Sequence, residues 1–189
     1  MIVKILNKLS LHLRKFGTDA RGGVNVEAMI FLPFLLATIV ATMAFYDAFR
    51  KDSLGDKATF TISDMLSRET NYITPVYVDS AKSLFTFLTG SSDAESTLRV
   101  SVVSYNGRDD RYEIEWSQVR GAHAQPLTDS DLINAQAMLP VMVNAEQLIV
   151  VDSFLNYEWP IDLGFEDHVM NSRVFTRPRF APQLVWLGN

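Results

Sequence analysis

Nineteen consecutive residues, Ala28 to Tyr46, carry no charge (AMIFLPFLLATIVATMAFY). Wound as a helix they extend roughly 28 Å, close to the roughly 30 Å hydrocarbon thickness of a bilayer. The run therefore predicts a helix that crosses a membrane once. Thr38 and Thr42 can bond back to the carbonyls four residues earlier, and Pro33 would kink the helix, which membrane helices tolerate. Before this run, Ile2, Ile5, Leu6, Leu9, Leu13 and Phe16 recur at helical spacing with Lys4, Lys8 and Lys15 between them. That pattern suits a helix lying on a membrane surface; a short solvated tail is the other reading. After it, Phe49, Leu54, Phe60, Ile62, Met65 and Leu66 form an imperfect apolar stripe, so the helix is expected to continue to about Glu69.

The period then changes. Thr74-Pro75 opens a second helix in which Ala81, Leu84, Phe85 and Leu88 recur at three- and four-residue steps until Gly90 stops it. Leu98, Val100 and Val102 alternate with Arg99 and Ser101; beyond Asn106-Gly107, Tyr112, Ile114 and Trp116 alternate with Glu113 and Glu115. Two alternating runs either side of Asn-Gly predict a hairpin, with a loop of more than two residues over Gly107 to Asp110. A short helix should start at a cap near Thr128 or Asp129. Gln147 to Tyr157 reads as a long strand, and Arg173 to Thr176 as the beginning of a last one. The expected class is α+β: one transmembrane helix continuing into a small domain with an antiparallel sheet of about four strands.

Charge sharpens this division. Residues 1–23 carry a net +4, 24–51 are neutral and 52–189 carry −9, so the overall −5 is an average of unlike parts. The cationic flank assigns the N-terminus to the cytoplasm and the acidic body to the far side of the membrane. The expected organisation is a basic leader at 1–22, the transmembrane helix at 23–50 and an extracytoplasmic α+β domain at 51–189. The acidic body argues against a nucleic-acid partner, which demands net positive charge. Zero cysteines among 189 residues exclude a disulfide scaffold, a thiolate zinc site and a cysteine nucleophile. A cleaved secretory signal fits poorly, because no small-x-small site follows the apolar run.

The junction between leader and span, Arg21-Gly22-Gly23-Val24-Asn25-Val26-Glu27, carries the most specific chemistry. A carboxylate at the edge of a membrane helix is costly unless paired, which marks Glu27 as a functional candidate. The Gly22-Gly23 pair offers an extended, side-chain-free segment for a protease to thread. Cleavage between them would free the α-amino group of Gly23 and make Glu27 the fifth residue of the product. This arrangement resembles the type III, prepilin-like signal: basic leader, Gly before the scissile bond, Glu at the fifth mature position, then a retained apolar helix.

Within that class the chain is most similar to the TadE/TadF-like pseudopilins of the Flp (tight adherence, Tad) pilus assembly system. Arg14-Lys15-Phe16-Gly17-Thr18-Asp19-Ala20-Arg21-Gly22 reproduces the family's Phe-x-x-Asp-x-x-Gly spacing, and Val26-Glu27 its Val-Glu pair. Where the family has Phe or Tyr after the Glu, this chain has Ala28. Ser63 to Thr70 and Thr176 to Gln183 extend the likeness through the body. The resemblance implies a non-enzymatic, pilin-like component of the bacterial inner membrane, supporting pilus biogenesis, adhesion and secretion. It implies as partners the Tad prepilin peptidase, acting at Gly22 and Gly23, and other pilin-like and pilus-assembly proteins, with Glu27 in assembly. An uncleaved single-pass envelope protein, whose external domain binds a ligand or partner, is the alternative; an anchored envelope hydrolase is a third.

Candidate catalytic and metal residues are sparse. His12 belongs to the leader, and neither His123 nor His168 has a second ligand at metal-binding spacing. Asp109-Asp110 and Asp129-x-Asp131 lack the glycine and terminal Glu of a calcium loop, and read as a hairpin-loop charge cluster and a helix N-cap pair. No nucleophile elbow, P-loop or dinucleotide fingerprint occurs. The reading assigns no catalytic residue, cofactor or metal.

Overall fold

The computed structural model describes residues 24–159 and 167–188. Two compact units emerge, Met1–Phe45 and Tyr46–Asn189. The expectations for the leader, for Gly22 and Gly23 and for His12 fall outside the described residues. The class is α+β: a long apolar helix near the N-terminus followed by a four-stranded antiparallel sheet.

Helix α1 runs Val24–Ser67 and passes through Pro33 without ending. Thr38 Oγ1 donates to the Phe34 carbonyl at 2.8 Å and Thr42 Oγ1 to that of Thr38 at 2.7 Å, both as their spacing predicts. Helix α2, Pro75–Thr89, has the expected stop and start signals. Thr74 Oγ1 accepts from the Tyr77 N–H at 3.3 Å, Pro75 occupies the first turn, and Gly90 closes the helix at φ 63°.

Strands β1 (Ser96–Asn106), β2 (Arg111–Arg120), β3 (Gln147–Tyr157) and β4 (His168–Thr176) form the sheet in the order β2-β1-β3-β4. Between β2 and β3 lie helix α3, Asp129–Ala135, and a 3₁₀ turn, Gln136–Met138. One face of the sheet (Leu98, Val100, Val102, Trp116, Ile149, Val151 and Leu155) forms a core with Ala58, Ile62 and Leu66 of α1 and Val78, Ala81 and Phe85 of α2. The opposite face (Val103, Leu148 and Val150) packs against Leu132 and Met142. Both faces are therefore covered, and β1 and β3 are buried along most of their length.

Three expectations need correction. Tyr112, Ile114 and Trp116 do not share a face. Trp116 pairs with Val102 and Ile114 with Val103, which leaves Glu115 as an extra residue in a β-bulge and reverses the alternation. Both faces of this sheet bury apolar side chains, so the reversal strands none of them. The last strand begins at His168, five residues before Arg173, because its largely exposed first half pairs with β3 from Tyr157 onward.

The helical seam also differs from the expected stripe. Phe49 and Phe60 are exposed, and the buried positions of α1 over its last four turns are Gly55, Ala58, Thr59, Ile62, Ser63, Leu66 and Ser67. Their spacing is regular at three and four, but most are small. Small residues let the helix approach the sheet until hydroxyls meet: Thr59 Oγ1 lies 2.6 Å from Ser153 Oγ, and Ser63 Oγ 2.6 Å from Thr176 Oγ1.

Candidate functional site

From Val26 to Tyr46 the apolar side chains of α1, Ala44 apart, face outward: Met29 is 80% exposed, Phe31 67%, Phe34 70% and Met43 67%. An amphipathic surface helix would bury one side. Here the most apolar stretch has a mean hydropathy of 2.3 and almost none of it is buried within the chain. The helix is long and apolar enough to cross a membrane.

Glu27 sits in the first turn of α1 and is exposed. Among the described residues it has no cationic partner. Near a helix N-terminus a carboxylate gains about 0.3–1 kcal/mol from the unsatisfied N–H groups, which by itself makes Glu27 a helix-start residue. Set beside Met29, Ile30 and Phe31, the same carboxylate at an apolar edge calls for an ammonium or guanidinium from elsewhere.

The segments Ser63 to Thr70 and Thr176 to Gln183 come together. Beyond the Ser63–Thr176 pair, the Arg179 N–H donates to the Ser67 carbonyl at 2.8 Å, and Arg179 Nη2 lies 3.3 Å from Asp64 Oδ1. Asp64 Oδ2 also accepts from Arg68 Nε at 2.9 Å. Further along, the Leu184 N–H donates to Gln147 Oε1 at 2.8 Å, and Trp116 Nε1 to the Leu184 carbonyl at 2.8 Å. Residues 177–187 are thus a strap that clasps the end of α1 to the sheet. Sequence spacing gives no hint of this, since 113 residues separate Ser63 from Thr176.

The remaining candidates take structural positions. The His123 N–H donates to Thr97 Oγ1, and its Nε2 lies 3.2 Å from the Ala94 carbonyl. His168 opens β4 opposite Tyr157 and is exposed. Asp110 accepts from the Tyr105 hydroxyl at 2.6 Å and Asp109 from Asn106 Nδ2 at 3.2 Å, a loop cluster as expected. Asp131 accepts from the Thr128 hydroxyl and N–H at the start of α3, which holds its carboxyl below the usual range. Asp129 Oδ1 instead receives the Ile114 N–H at 2.9 Å, tying α3 to β2. Among the described residues no group of three or more His, Asp or Glu is placed to hold a metal.

Two polar clusters escaped the pattern. Asp152, 2% exposed, receives Arg99 Nε at 2.9 Å on one oxygen and Arg173 Nε at 2.5 Å on the other. These residues stand side by side on β1, β3 and β4. Arg99 and Arg173 edge a cleft of about 300 Å³ under α3, lined also by Gln125, Leu127, Leu139 and Phe175. At the other end of β3, the Tyr157 hydroxyl donates to Asp47 Oδ2 at 3.1 Å, and Lys51 Nζ lies 5.2 Å from the Tyr157 ring centroid. Burial first, and Asp47 second, push the Tyr157 phenol above its ordinary range. Alternation could have flagged Arg99 and Arg173 as cross-strand candidates; nothing local marks Asp47 and Tyr157 as neighbours.

No protein-family model, curated protein or solved structure matches the chain.

Proposed function

We propose that the protein is a non-enzymatic, pseudopilin-like component of a Flp/Tad-type pilus assembly system. It is anchored in the bacterial inner membrane by residues 28–46, with the N-terminus cytoplasmic and the acidic domain periplasmic. The observation that carries this reading is α1 itself. Its 44 residues begin with a first-turn carboxylate, continue through an all-round apolar stretch, and end as the small-residue seam of an antiparallel sheet. A pilin-like subunit needs those three parts in that order: an edge charge for subunit pairing, a lipid-soluble segment, and a rigid hold on an external domain.

The chemistry follows from the junction. Hydrolysis of the Gly22–Gly23 bond by the prepilin peptidase removes the basic leader and its four net positive charges. The new α-amino group of Gly23 is a cation at the helix start, and a neighbour's Glu27 is the anion to meet it. In a low-dielectric setting each charge compensates the other's desolvation, so correctly staggered subunits are favoured over unpaired ones.

N-terminal sequencing of protein taken from its native membrane tests the reading. The expected mature chain starts at Gly23 and has 167 residues, and Gly22→Ala blocks its formation. A chain that starts at Met1 refutes the processed-pseudopilin assignment. The alternative, an uncleaved envelope protein that binds a partner through its domain, draws support from an apolar groove of about 400 Å³ between α1 and α2, lined by Met65, Val76, Tyr77, Ala81 and Leu84. It is favoured if Gly22→Ala and Glu27→Ala leave both size and function unchanged.

A further inference from the structure

We infer that the edge of the domain formed by residues 46–51 of α1 and the end of β3 seats in the lipid headgroup layer, as an aromatic collar that fixes its depth. The inference rests on the membrane-spanning reading of residues 28–46. It adds a second point of membrane contact, made by the domain.

Helix α1 is continuous through this stretch. Measured from Tyr46, the axial rise places Asp47 about 1.5 Å and Lys51 about 7.5 Å farther along. The headgroup region on each side of the hydrocarbon core is roughly 5–7 Å thick. Residues 47–51 therefore pass through headgroup depth. On one side of the helix at this level, Tyr46 is 70% and Phe49 72% exposed, and Arg50 lies one turn from Tyr46. Tyr46 and Phe49, one turn apart, thus present two rings outward at this level.

On the other side stand Lys51, Tyr157 and Trp159. The Trp159 ring meets that of Tyr157 edge-on, with centroids 5.3 Å apart and planes at 80°. Tyr157 is buried and hydrogen-bonded to Asp47, so it rigidly couples the helix to the end of β3. Trp159, two residues beyond, is partly exposed. Trp and Tyr beside Lys and Arg is the side-chain mixture that membrane interfaces favour, with apolar ring bodies toward the acyl chains and polar tips toward water. Asp47 and Asp52 offset Arg50 and Lys51, so the collar is held by its rings and should be indifferent to lipid charge.

The full-length chain, reconstituted into phosphatidylcholine vesicles with and without phosphatidylglycerol, provides the test. Lipids brominated near the top of the acyl chains should quench part of the tryptophan emission more strongly than lipids brominated near the methyl ends. The effect should be alike in both compositions. That component should be lost in Trp159→Phe, since Trp116 and Trp186 stack on each other within the domain. Phe49→Trp on the Trp159→Phe background should restore it, and Phe49→Trp on the wild-type chain should enlarge it, which keeps the test open if Trp159→Phe folds poorly. If aqueous iodide quenches Trp159 and bromolipid does not, the edge is solvated and the inference is overturned. If neither reaches it, a protein neighbour covers the edge, with the same result. A chain that fails to float with the vesicles refutes the membrane span itself; one that floats without shallow quenching refutes the collar alone.

Discussion

Removing the Asp152 carboxylate tests how the sheet tolerates a buried charge cluster. Asp152 accepts from Arg99 Nε and Nη2 at 2.9 Å and from Arg173 Nε at 2.5 Å. The Arg99 side chain is 11% exposed and that of Arg173 35%. In Asp152→Ala, Arg173 can turn toward water, while Arg99 keeps its charge in a nearly closed site. Breaking a buried pair from one side costs about 3–5 kcal/mol. Arg99 retains the Gln125 carbonyl at 2.9 Å and the Phe154 ring at 5.5 Å, which argues for the low end of that range. A loss of about 3 kcal/mol corresponds to a fall in Tm of about 6–12 °C for a domain of this size. Urea unfolding of the full chain in detergent micelles, followed by tryptophan emission, should show a lower midpoint with an unchanged slope. Replacing Arg99 and Asp152 together by Leu should recover stability to within about 1 kcal/mol of wild type, since a buried pair roughly balances its own desolvation. A loss below about 1 kcal/mol for Asp152→Ala would refute the closed-site argument.

Two glycines should respond unequally to alanine. Gly90 closes α2 at φ 63° with open space around its Cβ position, so Gly90→Ala should cost about 1–2 kcal/mol through backbone strain alone. Gly121, at φ 118°, would drive a Cβ into Thr97 and the Ser96 carbonyl, and Gly121→Ala should cost more than twice as much by the same urea assay. At Gly55 an added Cβ would meet Leu155 Cδ1 at 3.0 Å, the movable end of a side chain. The gain of about 1 kcal/mol in helix propensity opposes that crowding, so Gly55→Ala should be near neutral and Gly55→Leu clearly destabilising in thermal melts. Burial, and then the Glu69 charge, push the Tyr77 phenol up to about 12. A raised phenol favours the folded state below its unfolded value near 10, and that contribution disappears as pH rises from there to about 12. Phenolate absorbance should show a tyrosine that titrates near 12 and is missing in Tyr77→Phe.

Local signals placed the elements well where one residue type dominates the choice. Thr74, Pro75 and Gly90 bracket α2 because each is suited to its terminal geometry, and Gln147 to Tyr157 is the observed span of β3. What the pattern could not reveal depends on contacts distant in the chain. A two-residue period assumes one extra residue never intrudes, and Glu115 does intrude. The exposed start of β4 escapes the pattern because its pairing energy comes from β3, not from a buried face of its own side chains. Hydropathy also ranked Phe49 and Phe60 above Gly55, Thr59 and Ser63 as seam residues. The ranking fails because a helix pressed against a sheet selects for size first. As to the candidate site, the lone carboxylate at an apolar edge was visible in the sequence, whereas the clasp between residues 63–68 and 176–179 was not.

That clasp bears on how a domain without cysteine holds its helix in register. Apolar contact alone fixes a helix weakly in register, because one turn of sliding exchanges Ile62 for Leu66 with little change in buried area. The polar contacts remove that freedom. Asp47–Tyr157 holds the first turn of the domain's helix, Thr59–Ser153 its middle, and Ser63–Thr176 with Ser67–Arg179 its end. A slide of one turn would break all of them at once and leave hydroxyls unpartnered against the sheet, at about 1–3 kcal/mol for each buried group. Each bond adds little to stability while it is intact. Together they make every other register expensive, so the helix and the sheet move as one body.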